Sequence, residues 1–557
     1  MKMNPYIKRI LLVSCVLCLV SYAFSQDTTN KKRSIDITSS FKPVLREAVK
    51  INFNAAAPVV DSSKPKLTYN IPQKNLLLGY LPVPLKPVAL QIDTVTAWKY
   101  SNYIKAGLGN VHIPYIQAGF SFGDGKNSFF NIFANEYTSK GKLPFQKNNY
   151  TAVSAAGTVK TAKNLEWNGS LGFKSEDYFF YGYQPTTLLY TKDQLRQRFQ
   201  TYGGKLSLRN LVPTEYGLTY NPNVKVDVFG GQNDGGNATE SNTVLNLPLT
   251  KTFGRSFGFN LGFTADLTNY KNASKATTQN NLYFVSPSVQ LKTPNLFITT
   301  GLTPSWDNKV FSLLPNIMAD ITTNDQRFTI QLGWIGHYEK GSYQRFASIN
   351  PWIAQPTTLL NTKVQEWYGG FKGSVLDHIS YSAKLGFVQY NNMPLFINDT
   401  ITGKTFNTVY STSLQAIRMH GEIGWTQGED FNWITGITIN HYSKVQGQLA
   451  PWGLAPVELN SNLRWQLFKD FYVKGDLYFY DGAAYRAKVS NTPLVYKDFK
   501  GQSGLDVNAG VEFKVAKQIN LWLQLNDIFN DKYERWHQYP VYGFNILGGI
   551  VFSFDTK

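Results

Sequence analysis

The sequence predicts an all-β protein: a transmembrane antiparallel β-barrel of about 22 strands, within a range of about 20–24, behind an N-terminal Pro-rich irregular segment. Three observations predict it. After the first 25 residues no run of 18 apolar residues occurs, although 43% of the chain is hydrophobic and 15% is aromatic. From about Tyr100 onward, apolar and polar residues alternate with period two in run after run, joined by alternately short and long connections. The last such run, Tyr542 to Phe554, puts Tyr542, Phe544, Ile546, Gly548, Ile550, Phe552 and Phe554 on one parity and smaller residues on the other. A strand shows its side chains to opposite faces in turn, so a barrel hides its apolar half in alternation and scores as polar on average, here with a mean hydropathy of −0.26.

Taken in order, residues 1–25 read as a signal peptide. Lys2, Lys8 and Arg9 precede the apolar stretch Ile10 to Val20, and Ala23-Phe24-Ser25 supplies small residues before a cut ahead of Gln26. Leu12-Val13-Ser14-Cys15 resembles a lipoprotein box, but its apolar run is too short and continues past the cysteine. Both cysteines, Cys15 and Cys18, fall inside the leader, so the mature chain has neither disulfides nor thiol chemistry. Removal of three leader cations lowers the formal charge from +18 to +15. A basic protein invites a nucleic-acid reading, and export argues against it.

Residues 26–99 differ from everything after them. Pro43, Pro58, Pro65, Pro72, Pro82, Pro84 and Pro87 interrupt any periodicity, and between Asp27 and Lys99 eleven Lys or Arg stand against five Asp or Glu. Such a chain reads as an extended, basic segment that lies at the periplasmic entrance or threads into the barrel.

Residues 100–557 are expected to form the barrel, at about 21 residues per strand with its connection, a length suited to crossing a bilayer. Leu505 to Val515 alternates, turns at Ala516-Lys517-Gln518, and resumes with Ile519, Leu521, Leu523 and Leu525 against Asn520, Trp522, Gln524 and Asn526. The unit recurs around Phe468-Lys469-Asp470 and Leu376-Asp377-His378. Long connections such as Glu176 to Phe199, Glu339 to Thr362, Gln446 to Pro456 and Gly482 to Ser503 are expected outside the cell, with EDYFFYGY from Glu176 to Tyr183 in an interfacial girdle. The terminal strand seals the barrel, because an open edge in hydrocarbon leaves backbone groups unpaired. The edge strand of a soluble sandwich would share its alternation, though not the leader and the asymmetric connections.

Inward parity places Lys174, Lys205, Arg209, Lys225, Lys384, Arg418, Arg464, Lys474 and Lys514 in the lumen with Asp227, Asp266, Asp320, Glu422, Glu458, Asp476, Asp506 and Glu512. That near balance does not make an anion-selective pore. Arg418, His420 and Glu422 share one parity of a single strand and are a candidate luminal polar cluster, with mutual neutralisation the plainer account. The six histidines show no ligand-like spacing, so neither metal nor other cofactor is expected, and no nucleophile, base and orienter converge, so no enzyme is expected.

The run Leu525-Asn526-Asp527-Ile528-Phe529-Asn530-Asp531-Lys532-Tyr533-Glu534, followed by a loop and the terminal strand, resembles the end of a TonB-dependent receptor barrel, with Asn526, Phe529, Asn530 and Tyr533 as the matching residues. The resemblance implies a 22-stranded barrel in the outer membrane of a Gram-negative bacterium, with an N-terminal plug and import driven from the inner membrane. Asp27 to Lys99 is about half the length of such a plug, and only Ile35-Asp36-Ile37-Thr38 stands as a weak coupling-box candidate. The expected function is therefore a receptor or transport barrel with a reduced or missing plug. The alternatives are a structural or assembly barrel that anchors a periplasmic or surface lipoprotein partner, and an outer-membrane hydrolase. The expected partners are outer-membrane lipid and lipopolysaccharide and the barrel assembly machinery. A barrel this wide needs something to close it: the Pro-rich segment, inward-folded loops or a partner.

Overall fold

The computed structural model describes residues 102–491 and 493–555. The leader, the Pro-rich segment and Ile35 to Thr38 lie outside the described residues. Twenty-two antiparallel wall strands follow one another in chain order, each paired with its neighbours. The first, Asn102–Gly109, pairs with the last, Asn545–Phe554, in a register running from Asn102↔Phe554 to Gly109↔Leu547. The barrel is thus closed with no free edge.

The short strand Leu218–Tyr220 adds no wall position. It stays on the same neighbour, Gly236–Phe253, as the strand Asn223–Asn233 above it. Pro222 separates the two, since a residue without an N–H cannot continue the ladder.

The start of the first wall strand, Asn102, and the end of the last, Phe554, lie at one end of the barrel. There the connections are mostly tight, as at 161–164, 254–256, 293–295, 376–378 and 469–470. One such turn is built on Asp124, whose Oδ1 accepts from the backbone N–H groups of Lys126, Asn127 and Ser128 at 2.7–2.9 Å. These bonds hold its carboxyl at about 2, below the usual carboxylate range. The opposite end carries the long connections 180–195, 340–361, 392–412, 447–456, 481–503 and 527–544.

The outer wall is apolar. In the terminal strand Ile546, Ile550 and Phe552 are exposed on the outer face while Leu547 and Val551 are buried. Trp167 and Trp425 mark the band toward the tight-turn end and Trp306 marks it toward the other, while the stacked pair Trp334 and Trp367 lies nearer mid-strand.

Two expectations change. The terminal strand begins at Asn545, not Tyr542, because Gly543 takes φ +76° and breaks the alternation; Tyr542 lines a luminal cavity instead of the outer face. EDYFFYGY is not a membrane girdle: Phe179 and Phe180 are buried, and Tyr178 and Tyr181 pack into a core of inward-folded loops. Their rings have apolar partners inside the mouth, which hides more surface than an interface would.

Candidate luminal site

The long loops fold inward and roof the barrel. Loop 340–361 starts on its own side of the wall, where Asn280 Nδ2 donates to Gly341 O (2.8 Å) and to Asn361 Oδ1 (2.9 Å), fastening both ends of the loop. Its short helix, Tyr343–Ile349, is capped by Ser342, and the Tyr343 and Gln344 N–H groups donate to the carboxylate of Glu240 on the wall (2.6 and 3.3 Å). The loop then reaches farther round: Gln197 Nε2 donates to Pro351 O (2.7 Å) and Ile353 O (3.0 Å), and Trp352 Nε1 donates to Phe179 O (3.2 Å).

From another side comes loop 527–544. Trp352 stacks on Tyr539 with ring centroids 4.2 Å apart, Tyr181 meets Tyr539 at 4.9 Å, and Tyr181 Oη donates to Pro540 O (2.9 Å). A third loop adds the hairpin Met393–Asn398 and Phe406–Ser411, bridged to the first by Ala354 N donating to Phe406 O (2.8 Å) and Phe406 N donating to Trp352 O (3.0 Å). Phe346, Ile353, Phe396, Phe406, Trp536 and Tyr539 form one buried core from these three loops. Burial pushes the hydroxyls of Tyr181 and Tyr539 well above their ordinary values.

Beneath the roof lie two lobes of different chemistry, which share Glu176, Ala347 and Ser348 in their linings. One lobe, about 370 Å³, is ionic, lined by Lys174, Glu176, Lys225, Asp227, Asp266, Lys340 and Arg345. Its charges pair: Lys174–Glu176 at 2.8 Å, Lys225–Asp227 at 2.5 Å and Lys340–Asp266 at 3.0 Å. Pairing continues round the wall in Arg209–Glu166 (2.7 Å), Lys372–Asp320 (2.8 Å), Lys384–Glu366 (2.9 Å) and Lys474–Glu512 (3.8 Å).

The other lobe, about 270 Å³, is aromatic. Trp522, Tyr115, Tyr137 and Tyr150 stand in one row across the seam of the barrel, through the registers Trp522↔Gly549, Gly107↔Gly549, Gly107↔Tyr115, Tyr115↔Tyr137 and Tyr137↔Tyr150. Ring centroids are 5.7, 6.4 and 5.0 Å apart along it. Gly107 and Gly549 have no side chains to separate Trp522 from Tyr115; a Cβ on Gly107 would fall on the Trp522 ring. The row ends on Glu176, opposite Tyr150, and Asp476, Asp506 and Asp527 line the same lobe.

The residues singled out from sequence fall as follows. Arg418, His420 and Glu422 face the lumen on one strand, but cross-strand neighbours engage the first two separately. Arg418 donates to Asn440 Oδ1 (3.0 Å) and to Tyr390 Oη (2.5 Å), while His420 Nδ1 meets Thr438 Oγ1 (2.9 Å). They are part of the polar wall and do not converge on one point. The C-terminal motif folds loop 527–544 inward. Asn526 Nδ2 donates to Asn545 Oδ1 (2.7 Å), and Asn530, at φ +52°, accepts from the Phe544 N–H (3.0 Å). Tyr533 is buried with its hydroxyl donating to Asp506 (3.1 Å), whereas Phe529 is exposed. The aromatic row and the roof contacts Trp352 and Tyr539 were not singled out from sequence. A signal existed: Tyr115, Tyr137 and Tyr150 occupy luminal parity, where polar residues were expected.

Among the described residues no group of three or more His, Asp or Glu is placed to hold a metal. No family model matches this sequence, and no curated protein matches it. Solved structures do share its fold. The siderophore receptor PirA from Acinetobacter baumannii superposes with a TM-score of 0.62 at 11% identity, over 81% of this chain and 80% of that one. The FrpB iron transporter from Neisseria meningitidis gives 0.62 at 10% identity, over 81% of both chains. FpvA of P. aeruginosa, solved with heterologous pyoverdines, gives 0.60 at 11%, over 81% of this chain and 71% of that one. The fold is therefore the 22-strand barrel of TonB-dependent siderophore receptors.

Proposed function

We propose that this chain is an outer-membrane receptor or transport barrel, exported by residues 1–25, with its plug reduced or missing and its outer mouth gated by its own loops. One observation carries the reading: loops rooted on well-separated parts of the wall meet over the lumen, through Trp352 and Tyr539, above a lined chamber. A purely structural barrel needs no such inward core. Ligand engages the roof from outside and passes to the chamber when the roof parts. The terminal residues Ile546, Ile550, Phe552 and Phe554 serve as the insertion signal for the assembly machinery, and Ile35 to Thr38 serves as the coupling segment.

Planar-bilayer recordings of the full chain test the gate. A quiet trace is expected from the native protein and intermittent openings from Tyr539→Ala. A large, permanently open native conductance would overturn the reading. Uptake of iron-55 bound to enterobactin, the ligand named for one structural neighbour, tests the ligand class by comparing cells with and without the chain.

A second reading, a barrel that anchors a surface lipoprotein, is favoured by apolar loop tips on the roof. Leu189 is 96% exposed, and Ile401 and Leu449 are each 76% exposed. Leu189 and Ile401 belong to loops tied together by Gln184 N donating to Thr402 O at 2.7 Å. Co-purification from detergent extracts that is lost in Leu189→Asp/Ile401→Asp would support it, and unchanged recovery would count against it.

A further inference from the structure

We propose that Arg196 and Arg198, gathered on the outer wall by Asp177, bind the phosphate of an outer-leaflet glycolipid. The site lies outside the lumen, so it goes beyond the transport reading and needs only the outer-membrane barrel.

Register fixes which way the three side chains point. Lys174 and Glu176 line the lumen, so Phe173 and Asp177 face outward on the strand Leu165–Phe179. On the next strand, Arg196–Asn210, Phe199 and Thr201 line the lumen, and Arg196, Arg198 and Tyr202 face outward. The ladder sets Asp177 opposite Arg198 and Phe173 opposite Tyr202. Height follows from length. Trp167, at the tight-turn edge of the apolar band, shares a strand and a face with Asp177, ten residues on. At about 3.3 Å per residue and a tilt of about 40°, that is a climb of about 25 Å, the height of the apolar band on an outer-membrane barrel. The cluster therefore stands where hydrocarbon gives way to headgroups. Phe173 and Tyr202, with ring centroids 5.0 Å apart, lie just beneath it, and the exposed Leu171 and Leu206 continue the lipid-facing wall.

The charges at that height do not cancel. Asp177 is buried and takes both cations: Arg196 Nη2 donates to its Oδ2 (2.8 Å), and Arg198 donates from Nε to Oδ1 (2.7 Å) and from Nη2 to Oδ2 (3.2 Å). Two cations on one anion leave an excess of one positive charge, and Lys192 and Asp193 on the short helix before Arg196 offset each other. A guanidinium has five N–H donors, of which Asp177 takes one from Arg196 and two from Arg198. The two side chains are 37% and 34% exposed, so donors remain for a second anion. Guanidiniums held on one carboxylate repel each other, and a phosphate, with several acceptor oxygens, removes that repulsion while filling both forks. A free phosphate ion gains the forks alone. A lipid phosphate gains them together with apolar contact for its acyl chains along Tyr202, Leu171 and Leu206.

Full-length protein folded in detergent is titrated with three probes: a bisphosphorylated lipid A, the same lipid with its phosphates removed, and inorganic phosphate. Native mass spectrometry reads the bound fraction. Saturable binding of the phosphorylated lipid is expected, roughly tenfold or more tighter than that of either other probe. Arg196→Gln leaves Asp177 its partner Arg198 and is expected to weaken that binding roughly threefold at unchanged heat-modifiable mobility. Asp177→Asn/Arg196→Gln/Arg198→Gln, which strands no buried charge, is expected to weaken it roughly tenfold or more. Lys309→Gln, at an exposed turn of the same barrel end, is expected to leave it unchanged. Equal binding of the dephosphorylated lipid would show that acyl contact alone holds it, equal binding of inorganic phosphate would make the site one for a free ion, and undiminished binding in the triple variant would place the lipid elsewhere. Each of these results would overturn the proposal, as would no binding at all. The assay reads lipid and not conductance, so the gate and the lipid site stand or fall separately.

Discussion

Replacing Tyr539 by alanine removes the ring on which the roof converges. The side chain is 2% exposed and touches Trp352, Tyr181 and Phe406 with centroids 4.2, 4.9 and 6.0 Å away, and its hydroxyl donates to Lys404 O at 2.5 Å. Large aromatic to alanine changes in packed cores cost about 3–5 kcal/mol. The loop core can collapse partly into the gap, so the lower half of that range applies, about 3–4 kcal/mol. At about 1.4 kcal/mol per decade, this raises the open-roof population by roughly 10²–10³. The wall is untouched, because no wall ladder bond involves Tyr539. Hydrogen exchange resolves the two. The amides of Ala354 and Phe406, which bridge loops 340–361 and 392–412, are expected to exchange about 10²–10³ times faster, while those of the seam at 103–108 keep native rates. Tyr539→Phe, which loses the hydroxyl alone, is expected to cost only about 1–3 kcal/mol. Uniform acceleration over wall and roof would show that the roof is not a separate cooperative unit. Unchanged exchange at Ala354 and Phe406 would show that the aromatic contact does not hold the mouth shut.

Three further outcomes follow from the wall. Gly549→Val places a Cβ on the Ala106 carbonyl oxygen and 2.6 Å from Gly107 Cα, so first–last pairing fails and the unboiled protein loses its fast-migrating band on gels. Lys384→Met strands Glu366, 7% exposed and paired at 2.9 Å, and is expected to cost about 3 kcal/mol in urea unfolding from lipid vesicles, largely recovered in Lys384→Met/Glu366→Leu. The Asp124 turn is stabilised above pH 4 and loses that stabilisation as pH falls toward 2, because its carboxyl sits below its ordinary value in the folded turn. The amides of Lys126, Asn127 and Ser128 should titrate with a midpoint near 2, and a midpoint near 4 would deny the three hydrogen bonds.

What the sequence made legible was whatever repeats at short range. Period-two alternation located the wall strands, their number and the terminal seal, because membrane-facing and lumen-facing positions differ in polarity residue by residue. The roof was not legible, since its contacts join residues far apart in the chain: Trp352 with Tyr539, Gln197 with Pro351, Gln146 with Pro540. EDYFFYGY shows the difficulty. Aromatic residues at a strand end suit a bilayer interface and a loop core equally, and only the partners decide. Tyr542 was misplaced by one backbone angle at Gly543, which parity counting does not register. Arg418, His420 and Glu422 share one face of their strand, yet function needs convergence, and three residues along one strand diverge unless another element closes on them.

Under the proposed transport function, the division between wall and roof decides where passage is controlled. Each wall strand is locked to its neighbours by a continuous ladder, and in hydrocarbon a broken ladder bond exposes backbone groups that no water can satisfy. The wall therefore has no low-energy way to open. The roof is held differently, by one aromatic core and a small set of bonds such as those of Gln197, Asn280 and Glu240 to loop 340–361. It lies beyond the apolar band, where freed backbone groups meet water. A ligand that binds the parted roof better than the closed one by a few kcal/mol is enough to shift it. Control placed anywhere else would have to work against the closure of the barrel itself.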